Sequence, residues 1–105
     1  MNRVAIPWPS QEIADFCRRW RIIELALFGS VLRDDFQPDS DVDVLVAFAP
    51  GASWSLLDHV QMEQELSAIL GRGVDLVSKR AVERSTNWIR RQAILGSAEV
   101  MYAAG

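Results

Sequence analysis

The chain has 105 residues, half of them hydrophobic and 24% charged, with a net charge of −3. A chain this short is expected to hold one core, hence one domain over residues 1–105; its apolar fraction excludes a disordered tail. No window approaches the roughly 18 consecutive apolar residues of a membrane helix, so no membrane partner is expected, and the acidic balance argues against direct nucleic-acid binding.

Cys17 is the single cysteine, so no internal disulfide can form. That fits a reducing compartment. The first nine residues carry one Arg, two prolines and no long apolar run, unlike a signal peptide. A cytoplasmic location is expected.

Ser10 follows Pro7 and Pro9 and is expected to cap a first helix. Ile13, Phe16, Cys17 and Trp20 recur at i, i+3, i+4 and i+7, which is one helical face. Cys17 therefore reads as a core-facing small hydrophobe and not as a nucleophile. Residues 22–28 form an apolar run broken only by Glu24 and read as a buried strand. Gly29-Ser30 ends it, residues 31–36 are expected to form a short helix, and residues 37–40 a turn. Residues 41–48 are the clearest strand. Val42, Val44, Val46 and Phe48 take one face by period 2, and Asp41, Asp43, Leu45 and Ala47 take the other.

Beyond a loop at residues 50–53, Ser53 or Ser55 can cap a helix running to about Leu70. Leu57, Met62, Leu66, Ile69 and Leu70 are its expected apolar side, and Gly71 its stop. Residues 73–78 read as a third strand. Residues 82–95 read as one basic helix stopped by Gly96, and residues 98–102 are open between strand and helical end. Alternating strands and helices point to an α/β fold. Trp8 and Trp54 adjoin loop signals and are open between surface and core packing, whereas Trp20 and Trp88 are expected in the core. His59 stands alone, with no Cys or second His beside it, and reads as a packed or surface side chain.

The overall charge conceals a separation. Five aspartates and no base lie between Asp34 and Asp43, and five bases with one acid between Lys79 and Arg91. Asp41 and Asp43, two apart on a strand, point to one side and repel unless a cation lies between them. Hard divalent cations such as Mg²⁺ take oxygen ligands and neutralise such a pair. An isolated Asp-x-Asp at a strand end is more often simply hydrated. Here Gly29-Ser30 precedes it, at a junction where glycine admits a phosphate to the backbone and Ser30 adds a hydroxyl. Asp75, between Val74 and Leu76, is a third carboxylate in a segment otherwise suited to burial. It is either an edge-strand acid in water or a further ligand. As ligands, the three acids suit two divalent ions clamping the attacking and leaving oxygens of a phosphoryl displacement, with Asp75 also able to take the nucleophile's proton.

Leu-Phe-Gly29-Ser30, ten residues, then Asp41-Val42-Asp43 resembles the signature of the minimal nucleotidyltransferases, a branch of the polymerase β superfamily. Arg33, Pro38-Asp39-Ser40 before Asp41, and the strand around Asp75 fit the same pattern, so the resemblance covers residues 25–102. It implies a single minimal nucleotidyltransferase domain, a short mixed sheet with helices packed on it. It also implies Asp41, Asp43 and Asp75 as catalytic and metal-binding residues for two Mg²⁺ ions, and Gly29, Ser30 and Arg33 as nucleotide contacts. Many relatives have an Asn-Pro-like turn before the last helix; this chain reads Arg84-Ser85-Thr86-Asn87-Trp88 instead.

A chain of this length resembles the MntA-type antitoxins of HEPN/MNT toxin–antitoxin pairs. That likeness implies a type VII-like system in which AMP passes from ATP to a tyrosine of a HEPN-domain ribonuclease toxin, within a hetero-oligomer. Two other functions stay open on the residues alone: an antitoxin that neutralises by binding, and a nucleotidyltransferase for small molecules.

Overall fold

A computed structural model describes residues 8–32 and 40–104, and only the backbone of Ser30. The expectations for Arg33, for the end of the short helix and for most of the turn before Asp41 lie outside the described residues.

Helix α1 (Ser10–Arg19) begins at Ser10 itself; Pro9 stands at the N-cap and no side chain caps the helix. Its Ile13, Phe16 and Cys17 are buried as expected, and Trp20, at the C-cap, is half-buried. Burial pushes the Cys17 thiol up to about 12, against a small opposing effect of Arg18, which fits an inert core side chain. Strand β1 (Ile22–Phe28) matches its expected span. A four-residue 3₁₀ turn, Gly29–Leu32, follows where a longer helix was expected to begin.

Strand β2 (Val42–Phe48) starts one residue after Asp41. Helix α2 (Leu56–Leu70) is capped by Ser55, whose hydroxyl accepts from the Asp58 N–H while the Asp58 carboxylate accepts from the Ser55 N–H. Gly71 in the left-handed region ends it. Met62 and Leu66 are buried, but Leu57 is 80% exposed, contrary to its expected place on the apolar side. Met62 stands five positions after Leu57, so at 100° per residue the two point about 140° apart.

Strand β3 (Val74–Ser78) leads directly into α3 (Lys79–Glu83), capped by Ser78. The expected single helix over residues 82–95 is two: α4 (Trp88–Ser97) is separate, with the Asn87 side chain accepting from the Arg90 N–H at its start. Gly96 does not stop α4 but lies inside it. Trp88 is 57% exposed at the new helix start, and so is not the core residue expected. Strand β4 (Glu99–Ala103) settles the last segment as a strand. Trp8 and Trp54, open from the sequence between surface and core, are half-buried against the core.

The strands form one mixed sheet in the order β3-β2-β1-β4, with β1 antiparallel to β2 and β4, and β3 parallel to β2. Helices α1 and α2 cover one face through the larger core, where Phe16, Met62 and Leu66 meet Val42, Val44, Val46, Leu25 and Leu27. The other face carries a smaller core in which Val82 of α3 and Ile94 of α4 meet Ala26, Phe28 and Leu45. Among the described residues no helix is long and apolar enough to cross a membrane.

Glu65 of α2 ties α1 in place. It accepts from the Trp20 indole at 3.0 Å and from Arg19 at 2.7 Å, with Gln61 on its other oxygen at 3.1 Å. Partial burial opposes its ionisation, but these three donors together outweigh that and lower its pKa from the ordinary 4.5. A carboxylate with a lowered folded-state pKa stabilises the fold above the unfolded value, and the contribution disappears as pH falls through the folded one. Urea titrations of stability against pH are expected to show a Glu65→Gln variant with a flatter decline below pH 4.5 than the parent. In the same titrations at neutral pH, Leu66→Ala is expected to cost about 2–5 kcal/mol as a fully buried side chain, and Leu57→Ala less than about 0.5 kcal/mol.

Candidate functional site

The site is built by register. Antiparallel pairing sets Asp43 of β2 opposite Phe28, the last residue of β1, so Gly29 follows immediately beside it. Parallel pairing sets Asp75 of β3 beside Asp43, and Val74 beside Val42. Paired residues of neighbouring strands share a face, with strands about 4.8 Å apart, and Asp41 lies one pleat, roughly 7 Å, before Asp43. All three carboxylates thus rise from the sheet face opposite Val42, Val44 and Val46, at the end where β1 finishes and β2 and β3 begin. Asp41 and Asp75 are exposed and Asp43 is half-buried.

Two glycines make room for the acids. Gly29 has a φ of 76°, and a Cβ there would run into the Asp43 carboxylate. A Cβ on Gly73 would likewise run into the Asp41 carboxylate. Gly73 sits in β3's lead-in, where the Asp43–Asp75 register extended by two residues meets Asp41, and its carbonyl accepts from the Val42 N–H at 2.9 Å. In the sequence Gly73 is only the first residue of an expected strand. The usable signal was its offset: Gly73 stands two before Asp75 as Asp41 stands two before Asp43.

Of the expected site residues, the structure brings Gly29, Asp41, Asp43 and Asp75 to one corner. Gly29 opens the 3₁₀ turn, with the Ser30 backbone next in it. Arg33 lies outside the described residues. The donor set suits a hard divalent cation, being carboxylate oxygens on one face of two neighbouring strands. Two of those carboxylates rest against the glycines, and among the described residues no three acidic, His or Cys side chains are gathered into a ready-made ion cage.

The basic segment is divided. Lys79 pairs with Glu24 of β1 at 3.2 Å. Arg91 donates to the carbonyls of Ser85 at 3.2 Å and Glu83 at 3.4 Å, holding the α3–α4 connection. Arg90 and Arg91 line a cleft of about 290 Å³ that also touches Val77, one pleat beyond Asp75. His59 is half-buried, 3.8 Å from Glu63.

The family model for the nucleotidyltransferase domain matches residues 10–99. The chain belongs to that family. It is 42% identical over 65 residues to the protein adenylyltransferase MntA of Thermococcus cleftensis, a match over 62% of this chain and 64% of that protein, so it spans less than two thirds of that relative. Its fold matches a crystal structure of a toxin–antitoxin with AMP-PNP, at a TM-score of 0.70 and 21% identity, over 92% of this chain and 75% of that one. A structure solved as a candidate minimal nucleotidyltransferase matches at a TM-score of 0.65 and 35% identity, over 85% of each chain. The α/β fold with a four-stranded mixed sheet is therefore that of the minimal nucleotidyltransferases.

The Gly29–Asp43 contact can be separated from backbone strain. Gly51 also has a positive φ, 85°, but nothing lies within 4 Å of a Cβ there. Gly51→Ala is expected to lose about 1–2 kcal/mol from the left-handed backbone alone. Gly29→Ala is expected to lose more, and a Gly29→Ala/Asp43→Ala pair to recover the excess in a double-mutant cycle read by urea denaturation.

Proposed function

We propose that this family member is the antitoxin of a toxin–antitoxin pair and acts as a Mg²⁺-dependent protein adenylyltransferase. It moves AMP from ATP to a tyrosine of a HEPN-domain ribonuclease toxin in the cytoplasm and so inactivates it. The observation that carries this reading is the register that sets Asp41, Asp43 and Asp75 on one face against Gly29. The match to MntA supports the activity, and the toxin–antitoxin neighbour with AMP-PNP supports ATP and a protein partner.

In this reading the backbone N–H groups of the turn that Gly29 opens and the Ser30 hydroxyl receive the nucleotide phosphates, with Arg33 adding charge. Asp41, Asp43 and Asp75 would hold two Mg²⁺, which when bound would neutralise phosphate charge and lower the pKa of the attacking hydroxyl. The tyrosine oxygen attacks the α-phosphorus, the new O–P bond forms as the bond to the β-phosphate oxygen breaks, and pyrophosphate leaves in line. Asp75 takes the phenolic proton. The one domain supplies the nucleotide half of the site and the toxin supplies the acceptor. Leu56 and Leu57 on α2 are each 80% exposed and Ile89 on α4 is 65% exposed, apolar surface of a kind that a protein partner covers.

The test is mass spectrometry of a HEPN-domain protein encoded beside this chain, after incubation with the chain, ATP and Mg²⁺. One or more AMP additions on tyrosine are expected. An Asp41→Ala/Asp43→Ala variant with unchanged circular dichroism is expected to lose transfer by a factor of 10² or more (on the order of a lost electrostatic anchor for the transition state). Transfer at the parental rate in that variant would refute the assigned site, and neutralisation without any AMP addition would return the function to binding alone.

A further inference from the structure

The end of the sheet opposite the acidic row holds a cavity of about 660 Å³ that the proposed reaction does not use. It lies where β2 ends and α3 begins. Phe48 and Trp54 give it an apolar wall, while His59, Lys79 and Arg80 give it a polar one. Glu83 also reaches the lining.

Two of these groups have hydrogen-bonding capacity to spare. The Trp54 indole N–H is buried and meets no acceptor among the described residues. Buried donors are almost always met by protein, water or ligand. Arg80 is exposed and forms no ion pair among the described residues, although Glu83 stands one helical turn on. Lys79, by contrast, already pairs with Glu24 at 3.2 Å, and the His59 ring lies 3.8 Å from the Glu63 carboxylate. The unmatched groups are therefore an N–H that can only donate and a guanidinium that can only donate. Water can meet the exposed guanidinium, the indole N–H needs an acceptor, and the oxygens of an anion could serve both. The wall beside them is aromatic: the Trp54 ring meets Phe48 at 6.5 Å and Trp20 at 5.1 Å between centroids, both edge to face. Such a wall suits a planar apolar body.

We propose that this cavity is a second ligand site, taking a small aryl anion whose oxygens are received by the Trp54 N–H and the Arg80 guanidinium. The site is separate from the acidic corner, since Asp41 and Phe48 stand roughly 23 Å apart along the strand.

The chain reports on its own cavity. It has one histidine and four tryptophans, so NMR resolves one set of imidazole signals and four indole N–H cross-peaks. Trp54→Phe removes one cross-peak and thereby assigns it, while keeping an aromatic ring in the wall. The probe is phenyl phosphate, titrated without metal. It is expected to move the Trp54 indole and His59 ring signals to saturation. Inorganic phosphate and phenol, each half of the probe, are expected to bind about tenfold more weakly or less. Arg80→Ala and Trp54→Phe are each expected to weaken phenyl phosphate by about tenfold, the loss of one hydrogen bond to a charged group. The Asp41→Ala/Asp43→Ala protein is expected to bind it as the parent does. Undisturbed Trp54 and His59 signals would overturn the proposal. So would parental affinity in both the Arg80 and Trp54 variants, or shifts that vanish in the aspartate variant, which would put the probe at the acidic corner.

Discussion

Two carboxylates pressed against two glycines fix the geometry on which the acidic corner depends. Asp43 occupies the space a Cβ on Gly29 would take, and Asp41 the space of one on Gly73. Each contact crosses a different strand pair, one antiparallel and one parallel. Gly29 and Asp43 are thus parts of one contact, although fourteen positions separate them in the chain. The left-handed backbone at Gly29 adds a second reason for glycine there. Gly73 has no such backbone demand, and the absence of a side chain is its whole contribution.

The rest of the fold keeps that register from slipping. Val42, Val44 and Val46 are fully buried between the sheet and helices α1 and α2. A shift of β2 by one residue would turn those valines to the other face and drive Asp43 into the larger core. The hydrophobic cost of that exchange, about 1.5–3 kcal/mol for each buried side chain exposed and more for a buried charge, far exceeds any relief gained by moving Asp43 away from Asp75 on the neighbouring strand. The smaller core on the acidic face does complementary work. Its buried members are Ala26, Phe28, Leu45, Val82 and Ile94, and Asp41 and Asp75 stay exposed beside them, so α3 and α4 hold that face down without covering the row of acids.

Period 2 and period 3.6 carried much of this arrangement in the sequence. Residues 22–28 and the valines of β2 could be read because burial on one or both faces leaves a strong apolar pattern. The acidic corner could be read because a glycine-serine and an Asp-x-Asp at fixed spacing are improbable together, which neither is alone. Three features were not legible. The break between α3 and α4 falls at Ser85 and Asn87, whose local hydrogen bonds (Ser85 Oγ accepting from the Asn87 N–H, Asn87 Oδ1 from the Arg90 N–H) override an otherwise continuous helical stretch. The segment that departs from the family's usual turn, Arg84 to Asn87, is the place where the break falls. Leu57 and Trp88 are apolar side chains left in solvent, which periodicity alone cannot separate from core. Gly73 needs the partner strand's register before its role exists.

The two ends of β2 carry opposite chemistry, and distance makes them electrostatically independent. The carboxylates stand at the beginning of the strand, and Lys79, Arg80 and the Trp54 N–H surround its end. A separation of roughly 23 Å is nearly three Debye lengths at physiological salt, so direct attraction between the ends is screened. A ligand at one end can therefore influence the other only through the packed strand that joins them. That strand holds its place through the larger core, and Met62 belongs both to that core and to the lining of the far cavity. Filling the cavity acts on Met62, and Met62 packs into the same core as the valines that hold the aspartates in register. Any coupling between the ends has to pass through side-chain packing, with charge playing no part.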